Sequence, residues 1–176
     1  MKLLVHTCCA ICAIGSFEEL AGEDLELTGF FYNPNIHPYQ EFFARLKACR
    51  QYFTEKSIPF LENSAYRLEE YLTATLDKGE ERCRTCYRLR LEETARTAAE
   101  LDFPAFTTTL LISPYQNQEW LKEEGERAAG LYRREFIFRD LRPFFARAQS
   151  ISRELGIYRQ KYCGCIFSEK ARFCKA

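Results

Sequence analysis

Apolar residues run without a break from Leu3 to Val5, and a second largely apolar stretch, rich in aromatics, extends from Leu25 to Tyr32. Short continuous runs of this kind are what strands buried on both faces look like. Between them a helical spacing is predicted over 11–21. The second strand is stopped by Asn33-Pro34-Asn35, and Pro38 opens a long amphipathic helix to about Lys56. Its expected stripe is Phe42, Phe43, Leu46, Cys49 and Phe53. A third strand is expected over 57–61, where Pro59 limits pairing. Helices follow over 67–78 and 85–101, then a threonine-rich strand over 103–111. A helix over 118–131, a strand over 135–138 and a helix over 143–155 complete the pattern. Strands alternating with helices imply βαβ units, and so an α/β, mainly parallel sheet flanked by helices. Ligands of such sheets bind beyond the carboxyl ends of the strands. Residues 6–9, 33–37 and 111–115 all fall at such ends.

Size and composition narrow the class. A chain of 176 residues fits one domain spanning 1–176, and such a domain buries roughly 70% of its unfolded surface. With 15 Phe and 10 Tyr its core needs no disulfide staples. Met1 to His6 is too short for a signal peptide, and no apolar stretch approaches the ~20 residues of a membrane span. The expectation is a cytoplasmic protein whose thiols stay reduced. A formal charge of zero hides a split. From Arg133 onward there are 11 basic and 4 acidic residues, a net of +7 that includes Lys175, which leaves −7 on residues 1–132. The basic quarter suits a polyanion such as RNA, or is a set of solvated helix faces.

Chemistry enters with the cysteines. Seven of nine fall in three tight groups: Cys8, Cys9 and Cys12; Cys83 and Cys86; Cys163 and Cys165. Close spacing presents several sulfurs to one site, and thiolates bind soft metals such as zinc and iron–sulfur clusters. The first group sits where a strand turns into a helix, a position that lowers thiol pKa. A structural zinc is the plain alternative, but zinc takes four ligands and seven thiols favour a cluster or more than one metal. Cys49 lies on a helical apolar stripe and reads as core, and Cys174 as incidental. His37 reads equally as proton donor, ligand or surface residue. No glycine-rich phosphate loop and no G-x-G-x-x-G after a strand is present, so no nucleotide cofactor is expected.

Several blocks together resemble the QueH-type epoxyqueuosine reductases. They are Leu-Val-His-Thr-Cys-Cys-Ala at 4–10, Phe-Phe-Tyr-Asn-Pro-Asn-Ile-His-Pro at 30–38 and Arg-Cys-Arg-Thr-Cys at 82–86. Arg-Leu-Arg-Leu at 88–91, Phe-Thr-Thr-Thr-Leu-Leu-Ile-Ser-Pro-Tyr at 106–115 and Tyr-Arg-Gln-Lys-Tyr-Cys-Gly-Cys-Ile-Phe-Ser at 158–168 continue it. The chain departs from the family at Ile11, where Pro is frequent, and over Asp140-Leu-Arg-Pro143 and Phe144-Phe145.

The resemblance implies a Rossmann-like fold akin to the ATP-pyrophosphatases (the HUP fold) without their nucleotide motif. It implies reductive removal of the epoxide oxygen from epoxyqueuosine at the tRNA wobble position, the last step of queuosine biosynthesis. It also implies a 4Fe–4S cluster with an adjacent single metal ion, expected to be iron, and a low-potential electron-donor protein. On that footing Cys9, Cys12, Cys83 and Cys86 are expected to hold the cluster. Cys8, Cys163 and Cys165 are expected to hold or border the second metal. Tyr115, His37 and Tyr162 are the candidate proton donors. A metal-dependent tRNA thiolation enzyme and a zinc-stabilised RNA-binding module are the other readings of the same cysteines.

Overall fold

The structure is a computed structural model that describes residues 1–22 and 24–174. Five parallel strands lie in the order β3-β2-β1-β4-β5. They are β1 (Lys2–His6), β2 (Glu26–Phe31), β3 (Phe60–Glu62), β4 (Ala105–Thr108) and β5 (Glu135–Phe136). The helices are α1 (Ala10–Leu20), α2 (Tyr39–Glu55), α3 (Leu68–Thr75), α4 (Arg82–Glu100), α5 (Gln118–Tyr132), α6 (Phe145–Glu154) and α7 (Ile166–Phe173). The expected α/β parallel sheet is therefore present. Side chains of β1 alternate between two cores, Leu4 facing one and Leu3 and Val5 the other, which explains the unbroken apolar run. None of the helices is long and apolar enough to cross a membrane among the described residues.

This strand order has its topological switch between β1 and β4, where the chain stops winding one way and starts the other. A crevice opens there beyond the carboxyl ends of the strands. The residues that follow β1 are Thr7, Cys8 and Cys9, so the first cysteine group occupies the switch point.

Among the differences from expectation, three boundaries have a local reason and one helix is new. β4 ends at Thr108, because the Thr108 hydroxyl accepts from Leu110 N at 3.1 Å and turns residues 109–112 into a 3-10 helix. β3 begins only at Phe60, since Ser57 takes a left-handed φ of 55°. α4 begins at Arg82 rather than near 85, which places Cys83 and Cys86 in its first turn. α7 was not anticipated: none of its residues is buried, so it has no apolar stripe to read. The stripe on α2 also changes, for Phe43 is 46% exposed and Arg45 takes a place on the buried face.

Candidate metal centre

The cysteines gather around two adjoining cavities, of about 450 and 240 Å³, that share Asn35, Arg90, Gln116 and Cys163 as walls. Cys8 and Cys12 line the larger. Cys83, Cys86, Cys163 and Cys165 line the smaller, with Cys163 reaching both. Cys49 is buried in the core away from them and Cys174 is exposed.

The first group is held by the strand-to-helix turn. Cys9 is the N-cap of α1, and its Sγ accepts from Cys12 N at 3.4 Å and from Gln160 Nε2 at 2.9 Å. The Cys8 thiol donates to Cys9 Sγ at 3.8 Å, and Thr109 Oγ1 donates to Cys8 Sγ at 3.3 Å. All three sulfurs lie within 4.8 Å of one another and are buried. Hydrogen bonds from the Cys12 and Cys8 thiols drive Cys9 well below the usual thiol range, while Cys12 goes well above it. One thiolate ready-made beside two thiols is a soft-metal cradle, and this trio can hold a metal ion.

The second group comes from two distant segments. Cys83 and Cys86 share one face of α4, one turn apart. Cys163 and Cys165 arrive on a loop fixed by Arg45, whose guanidinium donates to the Cys163 and Tyr162 carbonyls at 2.9 Å each. Arg45 is almost fully buried and is balanced by Glu41, 2.7 Å away. His37 N donates to Gly164 O at 2.8 Å on the other side of the loop. Gly164 itself has φ +139°, and an added Cβ would come within 3.2 Å of Arg45 and Asn35, so only glycine fits between the two cysteines. Burial pushes the Cys86 thiol up to about 12, opposed by Arg90.

Arg90 was not singled out in the sequence, yet it is 2% exposed and walls both cavities. Its Nε donates to the Cys86 carbonyl at 3.2 Å, and no carboxylate pairs with it among the described residues. Burial would push its proton off, but the Cys86, Cys163 and Cys8 sulfurs outweigh that and hold it charged. A buried cation needs an anion, and among the described residues the Cys86, Cys163 and Cys8 sulfurs are the groups placed to supply one once ionised, as metal-bound thiolates are. The available signal was its spacing: Cys83, Cys86 and Arg90 fall at i, i+3 and i+7 of one helix. Gln116 was likewise missed and donates to Cys163 Sγ at 3.7 Å, since an isolated glutamine carries no sequence signal. Gln160, which with Tyr158 and Arg159 reads in the sequence as a donor for phosphate or a polar substrate, donates to Cys9 Sγ.

The three proton-donor candidates have separate fates. Tyr162 lines the larger cavity; its hydroxyl donates to the His37 carbonyl at 2.5 Å, and burial pushes its pKa up to about 12. His37 is 1% exposed and packs between Tyr66 and Tyr71, with ring centroids 5.8 and 5.1 Å away, outside the lining of either cavity. Burial lowers its pKa. Tyr115 stands at the larger cavity with 84% of its surface in solvent. The N-terminal trio stays together and the four later cysteines line one cavity, while the expected cluster ligands Cys9, Cys12, Cys83 and Cys86 draw on both groups.

Fold and site together define a Rossmann-like α/β protein with a cluster of cysteines that can hold a metal ion at its switch point. The family profile described as Epoxyqueuosine reductase QueH matches residues 3–171. A curated protein of that name from Dehalococcoides mccartyi is 36% identical over 174 residues, covering 99% of this chain and 96% of the relative. Another from Thermotoga maritima is 35% identical, covering 94% and 89%. A third, from Helicobacter pylori, is 39% identical, and there the chain spans 49% of the relative's length. The chain belongs to the epoxyqueuosine reductase QueH family. Among solved structures, a teicoplanin deacetylase complex aligns over 77% of this chain and 68% of its own with a TM-score of 0.49 and 12% identity.

Proposed function

We propose that the chain reduces epoxyqueuosine in tRNA to queuosine, using a 4Fe–4S cluster held by Cys83, Cys86, Cys163 and Cys165 and a single iron ion held by Cys8, Cys9 and Cys12. Family membership supports the reaction. The 3.8 Å between the Cys8 and Cys9 sulfurs supports the division of ligands. Two thiolates on one tetrahedral ion with bonds of ~2.3 Å stand about 3.8 Å apart, the edge of that tetrahedron. Three such ligands would leave room for a fourth donor, and Cys8 and Cys12 line the larger cavity. Four cysteines from two segments around one smaller space suit a cluster, and the unpaired Arg90 guanidinium supplies charge against an anionic iron–sulfur centre.

Opening the epoxide to an alkene consumes two electrons and two protons and releases water. When bound, the metal centre supplies the electrons and a Lewis acid for the epoxide oxygen. The protein's own side chains do the rest. Tyr162 is the proton source this arrangement favours: its raised pKa keeps the phenol protonated, and its hydroxyl need only turn from the His37 carbonyl to the cavity. Gln160 and Gln116 orient Cys9 and Cys163. Electrons come from a low-potential donor protein in the reducing cytoplasm, where the thiols stay free.

Protein purified without oxygen tests this directly. It should contain about five irons and four acid-labile sulfides per chain and form queuosine with a low-potential reductant. Cys83→Ser should lose the sulfide, Cys8→Ser should lose only about one iron, and Cys49→Ser should lose neither. Zinc without sulfide would end the reductase reading, and loss of all sulfide on Cys8→Ser would end the division of ligands.

A further inference from the structure

We infer that Tyr115 and Phe145 form a stacking platform for an unpaired nucleobase flanking the modified one, which makes Tyr115 an RNA-binding residue rather than a proton donor. This rests on the tRNA-reductase reading and adds where the anticodon loop sits. Tyr115 is the most exposed large apolar side chain of the described protein, at 84%. A ring so exposed contributes little to folding and is presented for contact. Its one ring partner among the described residues is Phe145, edge-on with centroids 6.1 Å apart at 84°. Phe145 is half-buried against the core and so fixes where the pair stands.

The backbone under the ring is held on both sides. Tyr115 N donates to Ser113 Oγ at 3.3 Å, and Gln116 N donates to the Ser113 carbonyl at 3.3 Å. The Gln116 side chain accepts from the Tyr87 hydroxyl at 2.8 Å and reaches Cys163. The ring is thus tied to the sulfur cavity by one residue of chain, while its hydroxyl stays in solvent, where nothing aims it at a substrate. Phe145, Lys161 and Arg172 line the same cavity, and the two cations have no carboxylate partner among the described residues. An aromatic face beside unpaired cations is the surface single-stranded nucleic acid binds, by stacking and by phosphate neutralisation. A base turned into the cavity leaves its neighbour unstacked, and the platform replaces that lost partner.

The test uses anaerobically purified holoenzyme and an epoxyqueuosine-containing anticodon stem–loop, with binding read by fluorescence anisotropy before any reductant is added. Tyr115→Ala should weaken binding about ten-fold, with the loss reappearing in KM and not in kcat. The salt slope of binding should stay that of the parent protein, because no phosphate contact is removed. Tyr115→Phe should restore affinity. A fall in kcat for Tyr115→Phe would assign the hydroxyl to chemistry, and unaltered binding by Tyr115→Ala would remove the platform; either overturns the inference. Weakened binding by Tyr115→Ala in a protein that then yields no queuosine would keep the platform and sink the reductase reading instead.

Discussion

The ring of His6 lies fully buried at the end of β1, 2.8 Å from Thr108 Oγ1 and 3.1 Å from the Tyr32 carbonyl. A carbonyl only accepts, so Nε2 carries the proton and Nδ1 accepts from the Thr108 hydroxyl. Burial, aided by Arg90, lowers the His6 pKa to about 3. Above pH 6.5 folded and unfolded chains both hold a neutral ring. Below it the unfolded chain takes up a proton that the folded one refuses, so stability falls as pH falls towards 3. At pH 5 the loss is about 2 kcal/mol from this residue. Urea unfolding at pH 7 and pH 5 should show that loss, with part of it removed in His6→Gln. His37, also shifted down, adds to the same window. At Arg90 the expected consequence is electrochemical. Arg90→Gln should make the centre harder to reduce, on the order of 100 mV, as one unit charge lost at a few ångströms would do at an effective dielectric near 20. A spectroelectrochemical titration that left the potential in place would show Arg90 to be structural.

Among the elements, the loop over 158–165 and α7 complete the smaller cavity although they contribute almost no core. They are held by polar anchors: Arg45 to two loop carbonyls, Tyr158 to Glu41, Tyr162 to His37, and Arg82 stacked on Phe167 at 3.7 Å. Arg45→Met leaves Glu41 without its cation in a buried place, a change that costs about 3–5 kcal/mol. Its expected signature is early proteolytic cleavage within 158–165 and loss of sulfide, while the N-terminal trio keeps its metal. Gly164→Ala should do the same through strain at φ +139°. These elements also mark what could be read from the chain alone. The sheet was legible because β1 writes its burial on both faces as a continuous apolar run and β2 ends in the buried Phe30 and Phe31. The cysteine groups were legible because spacing within one turn is a local property. Their partition was not, since it depends on which turn of α4 meets a loop some 80 residues later. Arg45 carried a faint mark, a charge on an apolar stripe. α7 was passed over, and it is held by two aromatic contacts, Arg82 on Phe167 and Tyr162 against Phe173, rather than by a buried face.

Over the whole molecule, the halves of opposite charge turn out to be partly each other's partners. Arg147 pairs with Glu18 at 2.5 Å, Arg139 lies 3.9 Å from Glu19, and Arg134 lies 3.9 Å from Asp102. Arg142 is taken up by Asp140 at 2.6 Å, and Lys175 lies outside the described residues. The +7 quarter is therefore no uniform anion-binding face. Besides the buried Arg90, the cavity cations with no carboxylate partner among the described residues are Lys161 and Arg172, and the RNA backbone should be drawn there. For single-stranded RNA each neutralised phosphate adds about −0.7 to the slope of log K against log salt. Lys161→Gln and Arg172→Gln should each flatten that slope by roughly this amount, for every substrate tRNA alike, because phosphate contacts position RNA without reading its sequence. Arg147→Gln, which chiefly breaks an exposed ion pair with Glu18, should change the slope far less. If Arg147→Gln flattens it as much as Lys161→Gln does, the backbone runs over the outer face of α6 instead of along the cavity mouth.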